Sequence, residues 1–315
     1  MTSAVPTCSC GRKLRRRPTD VQGSAMKFAL SSPQGRPLVR AMTLAGPAYM
    51  WLLLAVFLPL SVMLFYSFMS DVPTSGGNWS LTFQNYLTFL DEPLYRKLMV
   101  RSLGLSAQVT LICTVLGFPC AYMLAKVIRG RSREALFLLI ILPFWSNGLV
   151  RIFSWNMVLR SGGVVDWVLN HLWPWPVDTD LMFSYPAIVI GLVHSYLPYA
   201  VLTAYLSLQA IDDSLIEAAR SMGAGRLTIL RRLILPLAMP GMLAGAVLTF
   251  VPVVGAFMEP RLLGGRKGTF IGTVIEDQFV AVFNWPLGAA LSFTLLALVL
   301  AILFIGMRLS RRKDK

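Results

Sequence analysis

Long apolar runs, separated by short stretches rich in polar and cationic residues, dominate the pattern of this chain. Six runs are long enough to cross about 30 Å of hydrocarbon at a helical rise of about 1.5 Å per residue. They extend from Leu44 to Phe68, Ser102 to Lys126, Ala135 to Trp155, Pro186 to Leu208, Leu237 to Met258 and Leu287 to Arg308. The pattern predicts an all-α integral membrane protein with six transmembrane helices. The first run follows more than forty residues, is too long for a signal h-region and lacks a small-residue cleavage site, so it reads as a span. Residues 1–40, rich in Arg, Pro, Ser and Gly, read as a disordered basic tail, and Met26 offers an alternative start that would trim it. Residues 41–315 then form one six-helix domain.

Cations orient the spans. Eight Lys and Arg precede the first run, four lie between Lys126 and Arg133, four between Arg220 and Arg232, and five follow from Arg308. The alternate loops hold three (Arg96, Lys97, Arg101), one (Arg160) and three (Arg261, Arg266, Lys267). Twenty-one against seven places both termini in the cytoplasm under the positive-inside rule. The formal charge of +14 is thus spread along the chain rather than gathered on one nucleic-acid-binding face. With 56% apolar and 14% charged residues there is no room for a large soluble domain. Cys113 and Cys120 lie in an apolar run, and Cys8 and Cys10 in the tail lack a second ligand pair, so neither a disulfide framework nor a metal site is expected.

Two outer loops carry local signals. Between 70 and 100, Leu81, Phe83, Tyr86, Leu87 and Leu90 suit a short interfacial helix better than a strand. Between 160 and 185, Trp167, Trp173 and Trp175 read as anchors at the headgroup level.

The cytoplasmic stretch from Ile211 to Pro236, IDDSLIEAARSMGAGRLTILRRLILP, is amphipathic and basic. Ser214 and Glu217 form a capping-box pattern, with Asp212 and Asp213 adding favourable charge at the helix start. A short helix over Leu215 to Met222 would end at Gly223 in a left-handed conformation. A second, from Arg226 to Leu235, would close at Pro236 and present Leu227, Leu230 and Ile234 as one stripe. Ala218 and Ala219 leave a small-residue surface beside the turn that lets a partner approach closely. Shape alone leaves two readings: a docking surface for a soluble partner, or a loop lying on the membrane through its apolar stripe. Tethering to two spans excludes a DNA reader.

No phosphate-binding loop occurs: GGRKGT at Gly264 to Thr269 has the wrong order and spacing. His171 and His194 fall in different parts of the topology, and no nucleophile–base or metal-ligand constellation is present. No cofactor is expected and the chain does not read as an enzyme. A membrane scaffold remains open at this point.

Glu217-Ala218-Ala219, then Gly223, then Leu233-x-Leu235-Pro236, together with the neighbouring Ala224, resembles the EAA motif of bacterial ABC-importer permeases. PFWSNGLVRIFSW (143–155), GLVHSYLPYAVL (191–202) and LTFVPVVGAFMEPRLLGG (248–265) are similar to permeases of the spermidine/putrescine type, over about residues 46 to 306. The resemblance implies the type I importer architecture in the bacterial inner membrane and import driven by ATP. It also implies cytoplasmic ATPase subunits, a second permease subunit on a distinct chain, a periplasmic binding protein and lipid as partners, and no nucleic acid. The loop residues would seat in a groove of the ATPase. An opine, thiamine or ferric ion remains open as the solute, since several such importers share the motif.

For a cationic solute, Glu259 has the right sign to meet an ammonium group, or else it is salt-bridged to Arg261 or Arg151. Trp145, Trp155, Tyr196 and Tyr199 offer cation–π faces, with aromatic packing as the alternative. Arg151, within the third run, would repel a cation and reads as a snorkelling or inter-helix residue. Gly241-x-x-x-Gly245 suits close helix contact, with an interface between two permeases as one candidate.

Overall fold

The computed structural model describes residues 36–71, 80–172 and 181–313. Most of the predicted tail, with Cys8 and Cys10, the loop residues 72–79, and Trp173 and Trp175 lie outside the described residues. The chain divides into two units, Met1–Pro59 and Leu60–Lys315. In the first, helix α1 (Arg36–Ser67, continuing into the second unit) is already helical at 36–40, and Tyr49, Trp51 and Phe57 are exposed, as lipid-facing side chains would be.

The second unit is helical throughout: α2 (Gln84–Asp91), α3 (Pro93–Tyr122), α4 (Arg131–Trp145), α5 (Gly148–Leu159), α6 (Val164–Leu172), α7 (Tyr185–Gln209), α8 (Asp213–Ser221), α9 (Arg226–Ile229), α10 (Leu235–Val254), α11 (Met258–Gly264), α12 (Ile271–Val280) and α13 (Trp285–Lys313). Among the described residues one isolated bridge, Met69 to Leu81, is the sole β pairing. In hydrocarbon a backbone must satisfy its own polar groups, and helices do so within one segment.

Among the described residues five helices are long and apolar enough to cross a membrane, and the pair α4–α5 makes a sixth crossing only as a broken span. This corrects the straight helix expected over 135–155. The chain bends by 100° between Trp145 and Gly148. Pro143 weakens the end of α4, and Asn147 caps α5 by accepting the Leu149 N–H at 2.9 Å. The Pro143 carbonyl freed at the break accepts from Ser146 N–H (3.3 Å), Ser146 Oγ (2.8 Å) and Arg151 Nη1 (3.2 Å). Arg151 is therefore a partner for the interrupted backbone.

Other boundaries move as well. The second span begins at Pro93, nine residues before the apolar run, and ends in a π-turn over Met123–Val127. The helix from Arg226 does not stop at Pro236. It runs on to Val254 through a π-turn at Leu230–Ile234, a wider turn that makes room for the proline ring and its missing donor. The outer loops form helices as well: α2, where one was expected, and α6, α11 and α12, where none was.

Helices α3, α7 and α10 pack on one another as the centre of the unit. Gly241 and Gly245 face α7 of the same chain rather than an outside partner. A Cβ on Gly245 would overlap Thr203 Oγ1 and lie 3.2 Å from Ala200 Cα; one on Gly241 would overlap Ser207 Cβ. The two helices approach this closely because these positions lack side chains. Gly245→Ala should therefore force α7 and α10 apart, costing about 1–3 kcal/mol as overpacking does. A lowered melting temperature of the detergent-purified protein would register it, and an unchanged one would refute the contact.

Candidate coupling loop and outer polar cluster

The cytoplasmic loop is a helix, a turn and a second helix. Asp212 caps α8 by accepting the Ser214 N–H at 2.9 Å, so the cap is Asp212 rather than the expected Ser214 with Glu217. Gly223 takes φ +81° just past the helix and is open on its Cβ side. Its N–H and that of Ala224 return to the Arg220 and Ala219 carbonyls at 2.9 and 3.1 Å. A left-handed turn of this kind favours glycine.

Below the loop lies an apolar cluster that includes Leu124, Tyr205, Leu208, Ile211, Ile216, Ile229 and Ile234. Ala219, Ala224 and Leu233 lean on it. Ile216 and Ile229, not singled out beforehand, anchor the two loop helices, while Leu227 from the expected stripe is exposed. The spacing of Ile216 to Ile229 crosses a turn, which defeats a single-helix periodicity. Facing outward are Glu217, Ala218, Met222, Gly223 and Leu227, with Pro236 exposed at the start of α10. The Glu217 carboxylate makes no hydrogen bond or ion pair among the described residues. Lys126, only 8% exposed, donates from Nζ to the Ile211 carbonyl at 2.6 Å and to Asp213 Oδ1 at 2.7 Å.

A second polar group sits where α5, α7 and α11 meet. Glu259, 8% exposed, accepts from Ser195 Oγ at 3.3 Å. Neither expected salt bridge forms. Arg261 bonds Glu276 at 2.8 Å and also Asp277, which together hold its guanidinium above its ordinary pKa, and Arg151 turns to the Pro143 carbonyl. Beside Glu259 on α7, Tyr196 stacks on Tyr199 (6.1 Å between centroids), and Tyr199 meets Phe144 edge-on at 4.6 Å. Trp155 meets His194 at 5.4 Å. Trp145 stands apart, 87% exposed. Glu259, Ser195, Tyr196, Tyr199 and Trp155 thus gather on neighbouring elements, with Ser195 a participant whose role no sequence signal marked.

A family model described as "Binding-protein-dependent transport system inner membrane component" matches residues 115–314. The chain belongs to this family. The spermidine/putrescine transport system permease protein PotB of Escherichia coli (strain K12) is 40% identical over 267 residues, covering 84% of this chain and 96% of PotB. PotB of Haemophilus influenzae (strain ATCC 51907 / DSM 11121 / KW20 / Rd) is 35% identical over 263 residues, 84% and 91% of the two chains. A solved bacterial alginate ABC transporter, in complex with an alginate pentasaccharide-bound periplasmic protein, shares the fold with a TM-score of 0.72 at 18% identity, over 90% of this chain and 96% of its own. The protein is thus an all-helical, multi-pass inner-membrane permease of the ABC importer type. In such systems the permease works with a periplasmic binding protein, a second permease and an ATPase, and ATP is hydrolysed on a separate chain.

Two outcomes follow from the loop geometry. Gly223→Ala should cost about 1 kcal/mol for its left-handed backbone and speed hydrogen exchange in α8 about fivefold, with Gly223→Asn milder. Equal exchange in all three proteins would contradict it. Asp213 is held below its ordinary value of 3.8 by its hydrogen bond to Lys126 and that residue's charge. A depressed carboxylate contributes its stability above the ordinary value and loses it as pH falls through the lowered one. A spin label on Met222→Cys should therefore keep the same mobility as pH falls to the ordinary value of 3.8 and gain it only below that, and a gain already present at 3.8 would refute the bond.

Proposed function

We propose that this permease imports a polyamine, that the loop 211–236 docks the ATPase, and that Glu259 receives an ammonium group of the solute in transit. The observation that carries the solute reading is the buried Glu259 carboxylate with a serine hydroxyl but no cation bonded to it. A charge in that setting is costly unless something positive meets it, and a polyamine supplies ammonium groups spaced along an apolar chain. The rings of Tyr196, Tyr199 and Trp155 offer faces worth about 0.5–2 kcal/mol each to such a cation. The 40% identity to a permease named for spermidine and putrescine favours the same class.

Docking is supported by the outward set of Glu217, Ala218 and Gly223 on a loop whose other face is anchored. Ala219, Ala224, Leu233, Leu235 and Pro236 act in this reading by holding the helices at their angle.

The deciding experiment is solute-stimulated ATP hydrolysis in vesicles carrying the permease with its partner permease, ATPase and binding protein. Putrescine, spermidine, an opine and thiamine are each offered. Stimulation by the polyamines alone is expected, and stimulation by another solute would discard the polyamine. Glu259→Gln should lower the specificity constant for spermidine at least tenfold, about 1.4 kcal/mol, with assembly intact. Uptake equal to wild type would remove Glu259 from the path. Glu217→Ala should weaken co-purification of the ATPase, and full retention would sink the docking reading.

A further inference from the structure

The second span, α3 with its closing π-turn, is tied by polar bonds near its inner end and two turns in from its outer end to the segments just assigned roles. Toward the outer end, Arg101 Nη2 donates to the Lys267 carbonyl at 2.8 Å and Nη1 to the Thr269 carbonyl at 3.4 Å. Its guanidinium lies 4.6 Å from the Phe270 ring centroid, and Ser102 Oγ accepts the Ile271 N–H at 3.0 Å. These partners form the link between α11 and α12. That link presses directly on the Glu259 turn: a Cβ on Gly268 would overlap the carbonyl of Pro260, the residue after Glu259. At the inner end, Lys126 grips the Ile211 carbonyl and Asp213 at the entry to α8. The two clamps stand 25 residues apart, about 38 Å along a helix.

The chemistry of the clamps is unusual for mere packing. Burying the Lys126 side chain carries a desolvation cost, and an ion pair with an Asp213 that is 61% exposed returns little. Both clamps bond backbone carbonyls, so each follows the position of a chain segment whatever its side chains. Lys126 also lies in the π-turn, a widened turn frequent at functional sites, which can tighten to α-geometry by a small shift in register.

We infer that the second span, α3 and its closing π-turn, is a strut whose two clamp residues, Lys126 and Arg101, carry a displacement of the loop entry at 211–213 to the link at 267–271 behind Glu259. Both are positioning residues, and the inference rests on the docking reading of the loop. Movement of the ATPase then reaches the solute site along one packed helix rather than through the loops.

The test uses the assembled importer in vesicles with radiolabelled spermidine, measuring uptake and ATP hydrolysed together. Lys126→Met and Arg101→Met should each raise the ATP consumed per spermidine imported about fivefold, while co-purification of the ATPase stays at the wild-type level. The double variant should be no worse than the more severe single one, because a strut cut at either end transmits nothing. Lys126→Arg should recover most of the coupling. An unchanged ratio in the single variants, or effects that multiply in the double one, would overturn the strut. If Lys126→Met does not fold, Arg101→Met alone carries the same test at the outer clamp: a raised ratio supports the strut and an unchanged one overturns it. Failure of the docking reading is separable, since Glu217→Ala would then leave ATPase co-purification intact whatever the ratios show.

Discussion

Hydrocarbon gives backbone N–H and C=O groups no partner, and every feature of this permease is shaped by that constraint. Where the chain stays helical the requirement is met residue by residue. Where proline interrupts it, the structure supplies substitutes. The Pro143 carbonyl gathers Ser146 and Arg151 at the bend, and a π-turn precedes Pro236. Arg151 shows how this alters the reading of a charge in a span. Its guanidinium is held by the interrupted backbone, so of the two readings, a snorkelling or an inter-helix residue, it is the second, and its bond from α5 to α4 is part of what permits the bend.

Close approach of the central helices follows from small residues rather than from any hydrophobic drive, which lipid removes. Gly241 and Gly245 let α10 lie against Thr203 and Ser207 of α7, and α3 completes the frame. On that frame the cytoplasmic loop rests by Ile216 and Ile229, burial of which contributes about 1.5–3 kcal/mol each. One face of the loop is therefore spent on anchoring, leaving Glu217, Ala218 and Gly223 outward. The motif divides physically into residues that hold the loop and residues that present it.

The charges divide in a similar way. Arg261 is neutralised by Glu276 and Asp277 and Lys126 by Asp213, while Arg101 donates to two backbone carbonyls. Glu259 alone among these buried or half-buried groups meets only a hydroxyl. In the proposed polyamine reading, such a carboxylate would be a transient stop for a cation, since a permease must bind its solute weakly enough to release it.

Much of this was legible from the residues because its causes are local. Span length and apolarity follow from bilayer thickness, orientation from the placing of Lys and Arg, and the turn at Gly223 from the conformational freedom of glycine. The seven positions of the loop motif carried the family for the same reason, lying within one short segment. Tertiary structure alone decided the rest. The break at Trp145 to Gly148 depends on Arg151 reaching back across it, and the cap at Asp212 on which of three neighbouring polar side chains the chain direction favours. Whether Glu259 pairs with an arginine, whether a glycine pair faces its own chain or another, and whether Trp145 joins Tyr196 all turn on contacts between residues far apart in sequence. Periodicity records which face of a helix is apolar; it holds no information about what that face meets, because the meeting is set by how separate helices pack.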